Sequence, residues 1–268
     1  MLIIKTKLPT KNLPIRRIIA KLFQSYIYTA LDNKEHDGYK HSNGKVFKAM
    51  NFKIAYIENE IQAKYVALDK ENEKQLAQYI LMNSLKLGEI HLTNTSIAVV
   101  ERNSKISSPM RVGGFVSVNI KDGKSSKKIY LEPKSAKFQE ILHNNTLQKY
   151  EALFKKSYEG VLKIKLIEQK PRERIFHYSK GIMKAWFGVY EIEANSDMLE
   201  MILDTGMGAN CMKGLGFLEL INPQPSKETQ KELDEIMQFS GISSGDTKNS
   251  SSKKINASKI ERYIFDEK

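Results

Sequence analysis

Residues 46–68 read VFKAMNFKIAYIENEIQAKYVAL, and they contain two stretches in which polar and apolar residues alternate as in β-strands. The first stretch runs from Val46 to Tyr56, and the second runs from Ala63 to Leu68. Asn59 and Glu60 between the two stretches suit a hairpin turn. The pattern therefore predicts an antiparallel hairpin in the first part of the chain.

Helices and further strands are predicted on both sides of this hairpin. Before it, a β-rich apolar run at residues 2–7 precedes residues 15–31, where apolar residues recur at helical spacing. After it, Asp69 is a suitable N-cap for a helix, and residues 89–92 and 96–102 are predicted strands. The apolar face of this second helix consists of Leu76, Ala77, Ile80 and Leu81. The resulting order, β-α-β-β-α-β, is the signature of a ferredoxin-like domain.

The following residues repeat this order less regularly. Extended stretches are predicted at residues 116–120, 128–131, 160–169, 183–194 and 217–221, and helices at residues 135–154 and 197–203, the latter capped by Asn195 or Ser196. We therefore predict an α+β fold with two tandem ferredoxin-like (RRM-like) domains, at residues 1–110 and 111–221. Within residues 222–268, the segment at residues 240–254 is rich in Ser, Gly and Lys, which predicts a flexible, low-complexity tail.

The charge of the chain favours a polyanionic partner. The formal net charge is +12, and the tail holds eight basic and eight acidic residues, so the whole excess lies in residues 1–221. Such a field attracts nucleic acid. The single cysteine, Cys211, excludes an internal disulfide and a multi-cysteine zinc site, and it fits a reducing, cytoplasmic setting. No apolar run is long enough for a membrane helix, so we expect no membrane partner.

The most distinctive motif is GMGANCMKGLGF at residues 206–217, which follows a predicted helix and precedes a predicted strand. Its four glycines, Gly206, Gly208, Gly214 and Gly216, allow backbone amides to approach a phosphate, and Asn210 and Lys213 add polar donors. The motif lacks the Gly-Lys-Ser/Thr of a Walker loop, and its order of elements excludes a Rossmann fingerprint. A turn that only ends a helix is the alternative.

This glycine pattern resembles the terminal motif of the RAMP superfamily of CRISPR-associated RNA-binding proteins. Within that superfamily the chain is similar to the Cas6 family of CRISPR repeat endoribonucleases. The stretches IYLEP at residues 129–133 and NTLQKY at residues 145–150, and Phe47-Lys48 before a strand, also resemble this family. The resemblance covers residues 1–221 and implies a fold of two ferredoxin-like domains.

Metal-independent RNA cleavage needs a base for the 2′-hydroxyl, an acid for the leaving 5′-oxygen, and donors for the phosphorane. Histidine suits the first two roles, and lysine or tyrosine suits the third. Two of the five histidines, His36 and His41, lie with Lys40 and Lys45 in the loop EHDGYKHSNGK at residues 35–45. A solvated surface loop without catalytic function is the alternative.

The family resemblance implies roles for individual residues of this loop and the preceding helix. A catalytic histidine in that family stands just before a Gly-aromatic pair, and His36 ahead of Gly38-Tyr39 matches this position. Tyr28 then matches the helix tyrosine, and Lys45 matches the downstream lysine. The spacing from Tyr28 to His36 is short, and Glu35 replaces the usual leucine. Both His36 and His41 are therefore candidates.

A basic stretch near His177 is a second candidate for RNA contact. Arg172 and Arg174 could grip phosphates from a hairpin, or they could belong to a solvated turn. His91 is predicted to be structural, and His143 has no evident partner. Trp186 and Phe187 are predicted to lie in the core.

Together these observations predict an endoribonuclease that cuts precursor CRISPR RNA within its repeats and leaves a 2′,3′-cyclic phosphate. The alternative is a RAMP subunit that binds RNA without cutting it. No Asp-x-Asp motif is present, and we expect neither a metal nor another cofactor. CRISPR repeat RNA is the expected partner, while effector-complex subunits and a second copy of the chain are further candidates.

Overall fold

A computed structural model describes residues 1–7, 15–57, 60–92, 94–102, 106–123, 125, 127–179 and 181–221. These residues form a mixed α+β structure with antiparallel sheets. The strands are β1 (Leu2–Lys7), β2 (Tyr39–Lys40), β3 (Val46–Phe47), β4 (Met50–Ile57), β5 (Glu60–Ala67), β6 (Leu85–Leu87), β7 (Ile90–Leu92), β8 (Ser96–Val99), β9 (Met110–Val116), β10 (Asn119–Lys121), β11 (Lys128–Tyr130), β12 (Lys163–Leu166), β13 (Arg172–Tyr178), β14 (Gly181–Glu193) and β15 (Glu219–Leu220). The helices are α1 (Ile15–Ala30), α2 (Lys70–Asn83), α3 (Ala136–Phe154), α4 (Ser196–Thr205) and a short 3-10 helix (Cys211–Lys213).

The first sheet has the strand order β4-β5-β1-β8, which is the ferredoxin-like arrangement. β4 and β5 form the predicted hairpin, with Met50 opposite Ala67 and Ile57 opposite Glu60. Apolar residues of α1, α2 and the sheet share one buried cluster, in which Phe23, Phe52 and Tyr65 are large members. We call this sheet with α1 and α2 the first half of the molecule.

The second sheet repeats this order as β12-β14-β9-β15 and adds β13 at the same edge as β12. The long strand β14 pairs with β12 through its last residues and with β13 through its first residues. α3 and α4 bury their apolar side chains against this sheet, with Phe138 and Ile202 fully enclosed. We call this sheet with α3 and α4 the second half. The predicted fold of two tandem ferredoxin-like units is thus confirmed.

Side-chain caps determine where three helices begin. Asp69, Ser135 and Asn195 accept hydrogen bonds from the backbone amides of Glu71, Phe138 and Met198 at the starts of α2, α3 and α4. The prediction for the apolar face of α2 was partly wrong. Leu76 and Ile80 are buried, whereas the side chain of Leu81 is 75% exposed.

One strand prediction also needs correction, and another segment adopts one of its two predicted alternatives. Residues 90–92 do not join the first sheet, because β7 pairs with β6 in a separate hairpin and β8 alone closes the sheet. The basic stretch at residues 170–174, for which a hairpin and a solvated turn were the alternatives, leads into β13 at residues 172–178. The basic stretch is therefore part of a hairpin with β14.

Ion pairs between the two halves hold them together. Glu219 of β15 bridges Lys53 and Lys64 of the first sheet, with each Nζ–Oε distance at 2.5 Å. Asp204 at the end of α4 accepts from Lys70 Nζ and Arg102 Nη2 at 2.8 Å each. These carboxylates fix the second half against β4, β5 and α2.

The tail at residues 222–268 and the turn position Asn59 lie outside the described residues. The proposed division at residues 110 and 111 stays a prediction, with β8 ending at Val99 and β9 beginning at Met110. Within the part of the chain that the structure describes, no helix has both the length and the apolar character needed to cross a bilayer.

Candidate active site

A pocket of about 400 Å³ opens between the two halves, and we call it the lysine pocket. α1, the residues around β3, α3 and the glycine-rich segment 206–217 contribute to its wall. The lining residues are Gln24, Tyr28, Lys45, Val46, Phe47, Lys48, Asn145, Lys149, Gly208, Ala209, Asn210, Cys211, Met212 and Lys213. These described lining residues include four lysines and no acidic side chain, so the pocket favours an anion.

The glycine-rich segment joins α4 to β15 and depends on glycine at Gly206 and Gly216. These residues have φ angles of +75° and +70°, which side chains disfavour. A Cβ added at Gly206 would lie 2.1 Å from Nδ2 of Asn51, and one added at Gly216 would lie 2.4 Å from the Met207 carbonyl oxygen. Both positions therefore require glycine for packing as well as for backbone conformation.

Gly208 and Gly214 share the left-handed backbone but differ in their surroundings. A Cβ at Gly208 would lie 2.7 Å from the Ser117 carbonyl oxygen, whereas a Cβ at Gly214 would meet its nearest neighbour, Phe52, at 3.7 Å. Gly214 is thus needed only for the backbone conformation of the turn. Gly208 also lets the backbone of the glycine-rich segment pack closely against the second sheet. Phosphate binding by these glycines stays a prediction.

Backbone hydrogen bonds and Lys149 fix the glycine-rich segment in place. The amides of Ala209 and Gly216 donate to the carbonyls of Ser117 and Phe115, both at 2.7 Å. Lys149 of α3 is buried, and its ammonium group donates to the carbonyls of Thr205 at 3.0 Å and Gly206 at 2.7 Å. A cation at the C-terminus of α4 is also favourable for the helix dipole.

Tyr28 and His36 lie together at the edge of the lysine pocket. Their rings pack edge to face with centroids 5.1 Å apart. Burial raises the pKa of the Tyr28 hydroxyl, a hydrogen bond with Gln24 opposes this, and the Glu35 charge adds to it. The hydroxyl is therefore a protonated donor at neutral pH. The His36 side chain is 64% exposed, so its imidazole is open to a substrate.

Lys48 was missed as a site residue, although it holds the part of the loop that carries His36. Its Nζ lies 5.3 Å from the centroid of the Tyr28 ring. The ammonium group donates to the carbonyl of Glu35 at 3.2 Å and to the carbonyl of His36. Burial lowers the pKa of Lys48, while Glu35 and Asp37 oppose this shift. The Phe47-Lys48 pair of the family resemblance was the signal that could have indicated it.

His41 and Lys45 are turned toward α3 rather than toward Tyr28. His41 Nε2 lies 2.8 Å from Oε2 of Glu151, and the Lys45 ammonium donates to Oε1 of Gln148 at 2.7 Å. The hydrogen bond with Glu151 is the main cause that raises the pKa of His41, and Asn43 adds to it. Lys45 still lines the lysine pocket, whereas His41 anchors the loop to the second half.

Lys213 and Asn210 face the same pocket from the glycine-rich segment. Lys213 Nζ lies 5.0 Å from the centroid of the Tyr178 ring, and the Tyr178 hydroxyl donates to Gln24 of α1. Burial and repulsion from Lys128 lower the pKa of Lys213. Lys213 and Tyr28 therefore line the same pocket, and Gln24 lies between them in the chain of contacts.

Arg172 and Arg174 lie on one face of β13, outside the lysine pocket. Their guanidinium groups lie over aromatic rings: Arg172 is 5.5 Å from the centroid of Phe187, and Arg174 is 5.1 Å from that of Phe176. Guanidinium groups near aromatic rings can contact phosphates or stack on bases. Trp186 and Phe187 are buried, which confirms their predicted place in the core.

The remaining histidines are not among the residues that line the lysine pocket. His91 is exposed in β7, and His177 is exposed in β13. His143 of α3 makes a hydrogen bond to the Leu162 carbonyl at 3.1 Å, so it does have a partner.

Comparison with known proteins agrees with this architecture. A family model, CRISPR associated protein Cas6, C-terminal, matches residues 94–220. A search of curated protein sequences found no match. Among solved structures, a Cas6-related protein from Pyrococcus furiosus is 16% identical to this chain, with a TM-score of 0.62. The match covers 84% of this chain and 99% of that chain.

Two other solved structures are similar. One is described as an RAMP protein binding different RNA substrates, with 12% identity, a TM-score of 0.62, and coverage of 83% of this chain and 100% of that chain. The other is a Cas6 product complex, with 12% identity, a TM-score of 0.57, and coverage of 82% and 98%. The chain thus has the tandem ferredoxin-like fold of RAMP proteins. Its residues 94–220 match the model of the C-terminal region of Cas6 proteins, so this part of the chain resembles that family.

Proposed function

We propose that this protein is a metal-independent endoribonuclease that cuts precursor CRISPR RNA within its repeats. The observation that carries the proposal is the contact between Tyr28 and His36 at the edge of a pocket lined by four lysines. The lysines attract the phosphodiester, and the tyrosine and histidine supply groups for proton transfer and hydrogen bonding.

In the proposed reaction, the imidazole of His36 takes the proton of the 2′-hydroxyl, whose oxygen attacks the adjacent phosphorus. The Tyr28 hydroxyl donates a hydrogen bond to a phosphorane oxygen, which its raised pKa permits throughout the neutral range. Lys45, Lys48 and Lys213 offset the developing negative charge. The bond from phosphorus to the 5′-oxygen breaks, solvent protonates that oxygen, and a 2′,3′-cyclic phosphate remains.

His41 takes a supporting role in this proposal. Its imidazole is 11% exposed and bonded to Glu151, so it is poorly placed to accept a substrate proton. We propose that it positions the loop that carries His36. Arg172, Arg174 and the glycine-rich segment would hold the flanking RNA by its phosphates. Effector-complex subunits and a second copy of the chain stay predictions.

The test is an assay of labelled repeat RNA from the host's CRISPR array in EDTA, with wild-type protein, His36→Ala and His41→Ala. A repeat that lacks the 2′-hydroxyl at the scissile nucleotide serves as the substrate control. We expect site-specific cutting that the deoxy repeat and His36→Ala abolish, and that His41→Ala only slows. Tight binding without cutting by the wild-type protein would instead support an RNA-binding RAMP subunit.

A further inference from the structure

Each of two amide side chains that line the lysine pocket has one buried polar atom without a hydrogen-bond partner. Oδ1 of Asn145 and Nδ2 of Asn210 are both shielded from solvent, and neither makes a hydrogen bond with the described residues. Both residues line the pocket. Because buried polar atoms are almost always paired in native proteins, such atoms call for a ligand.

The two amides stand on well-fixed backbone. Asn145 lies within α3, and Asn210 adopts a left-handed conformation with φ of +65° in the glycine-rich segment. Two independent elements therefore contribute residues to one pocket that each carry an unpaired polar atom, an acceptor on Asn145 and a donor on Asn210. A site of this kind suits a rigid ligand that carries a donor next to an acceptor.

The rest of the pocket narrows the class of ligand. Val46, Phe47 and Met212 supply apolar surface, while the lysines supply positive charge. A ligand that fits all three features has a flat apolar body, an edge with adjacent donor and acceptor, and a negative charge. A nucleotide meets this description, because proteins read unpaired bases by stacking and by hydrogen bonds to the Watson–Crick edge. The pocket volume of about 400 Å³ is in the range of small-molecule sites.

We infer that Asn145 and Asn210 read the Watson–Crick edge of one unpaired nucleobase of the RNA, with its phosphate among the lysines. The inference rests on the proposed function for the identity of the ligand as RNA. It assigns to Asn210 a contact with a base, and it makes Asn145 a specificity-determining residue. The base lies beside Tyr28, so the nucleotide read is one close to the scissile phosphate.

The test combines protein variants with RNAs that lack a single base. Asn145→Ala removes one amide from a helix, and Asn210→Gly removes the other while glycine keeps the left-handed backbone. Asn144→Ala, an exposed neighbour on α3, is the matched control. Each protein is titrated with the repeat RNA and with a series that carries one abasic ribose at each position in turn. Thermal unfolding checks that each variant is folded.

We expect one abasic position to weaken wild-type binding roughly tenfold, the size of one or two lost hydrogen bonds. Asn145→Ala and Asn210→Gly should bind the intact repeat roughly tenfold more weakly, and the abasic change at that position should then add little. The control should behave like the wild type. Effects that simply add at every position, or no effect of either variant, would overturn the inference.

Failure of the proposed function gives a different result. By coupling we mean that the effects of the asparagine substitutions and of one abasic position do not add. Cutting in EDTA without such coupling would reject the base pocket and leave the proposed nuclease activity supported. Coupling without cutting would reject the nuclease and keep the base pocket. Absence of any RNA binding by the wild-type protein would overturn both.

Discussion

His41 Nε2 lies 2.8 Å from Oε2 of Glu151, and this contact joins the loop after α1 to α3 in the second half of the molecule. His36, earlier in the same loop, instead packs its ring against Tyr28. Two histidines that are equivalent in the sequence pattern therefore have different surroundings. One is suited to anchoring the loop, and the other is suited to proton transfer.

The anchoring contact should depend on pH. The pKa of His41 is raised above its ordinary value of 6.5, chiefly by the hydrogen bond with Glu151. A raised pKa in the folded state contributes stability that is fully present below about pH 6.5 and is lost as the pH rises through the folded value. We expect His41→Gln to lower the melting temperature more at about pH 5.5 than at about pH 8.5.

A double-mutant cycle with Glu151→Gln tests the cause of that difference. At low pH, His41→Gln and Glu151→Gln together should destabilise the protein by less than the sum of the two single changes. Equal losses at both pH values, or strictly additive losses at low pH, would show that the contact does not carry the effect.

Removing the Tyr28 hydroxyl should slow cleavage without weakening RNA binding. Tyr28→Phe keeps the ring against His36 and removes the proposed donor to the phosphorane, together with the hydrogen bond between this hydroxyl and Gln24. We expect the cleavage rate constant to fall roughly 100-fold, as when one transition-state donor is lost, with the Kd for repeat RNA almost unchanged. Single-turnover cleavage and filter binding measure the two quantities.

Tyr26→Phe is the matched control for that change. The Tyr26 hydroxyl donates to the Ser84 carbonyl at 2.7 Å, and burial raises its pKa to about 12. Its loss should reduce stability but leave the cleavage rate alone. A similar loss of rate in both variants would mean that the effect comes from packing of α1 and not from the reaction.

The order of strands and helices could be predicted because it depends on local patterns. Polar and apolar residues alternate over most of β4 and β5, and Asp69 and Asn195 are effective helix caps. For β13 the sequence left a hairpin and a solvated turn as alternatives, for a physical reason. Arg172 and Arg174 occupy positions on its partly buried face where aliphatic residues are usual, so the segment resembles a basic loop.

The site could be predicted only in part, because its geometry depends on contacts between distant segments. His41 and Glu151 are 110 positions apart, and Lys45 and Gln148 are 103 apart. No spacing rule relates such residues, so the sequence could not separate His36 from His41. Lys48 and Asn145 escaped notice as site residues because only the fold places Lys48 against Tyr28 and brings both residues to one pocket.

Alanine at Gly214 and alanine at Gly216 should lower the free energy of unfolding by unequal amounts. Gly214→Ala adds a Cβ with space around it and should cost about 1 kcal/mol, the strain of a left-handed backbone. Gly216→Ala adds that strain to a contact of 2.4 Å with the Met207 carbonyl oxygen and should cost about 3 kcal/mol. Urea unfolding measures both values, and equal costs would contradict the packing role of Gly216.

Loss of the Glu219 carboxylate should weaken the contact between the two halves and lower the free energy of unfolding. Burial opposes the charge of Glu219, but Lys53 and Lys64 outweigh it and lower the pKa of its carboxyl group. Burial also lowers the pKa of Lys53 to about 8, with Glu219 opposing that shift. Glu219→Gln removes the carboxylate that contacts both largely buried ammonium groups, which should cost about 3 kcal/mol in urea unfolding.

The exposed pair between Arg111 and Glu191 provides the control for this change. Those side chains are 43% and 27% exposed, and Glu191→Gln should cost less than about 1 kcal/mol. The difference between wild type and Glu219→Gln should be present above about pH 4.5 and shrink as the pH falls through the lowered pKa of the folded state. A cost for Glu219→Gln that matches the control would mean that apolar packing, and not this ion pair, holds the two halves together.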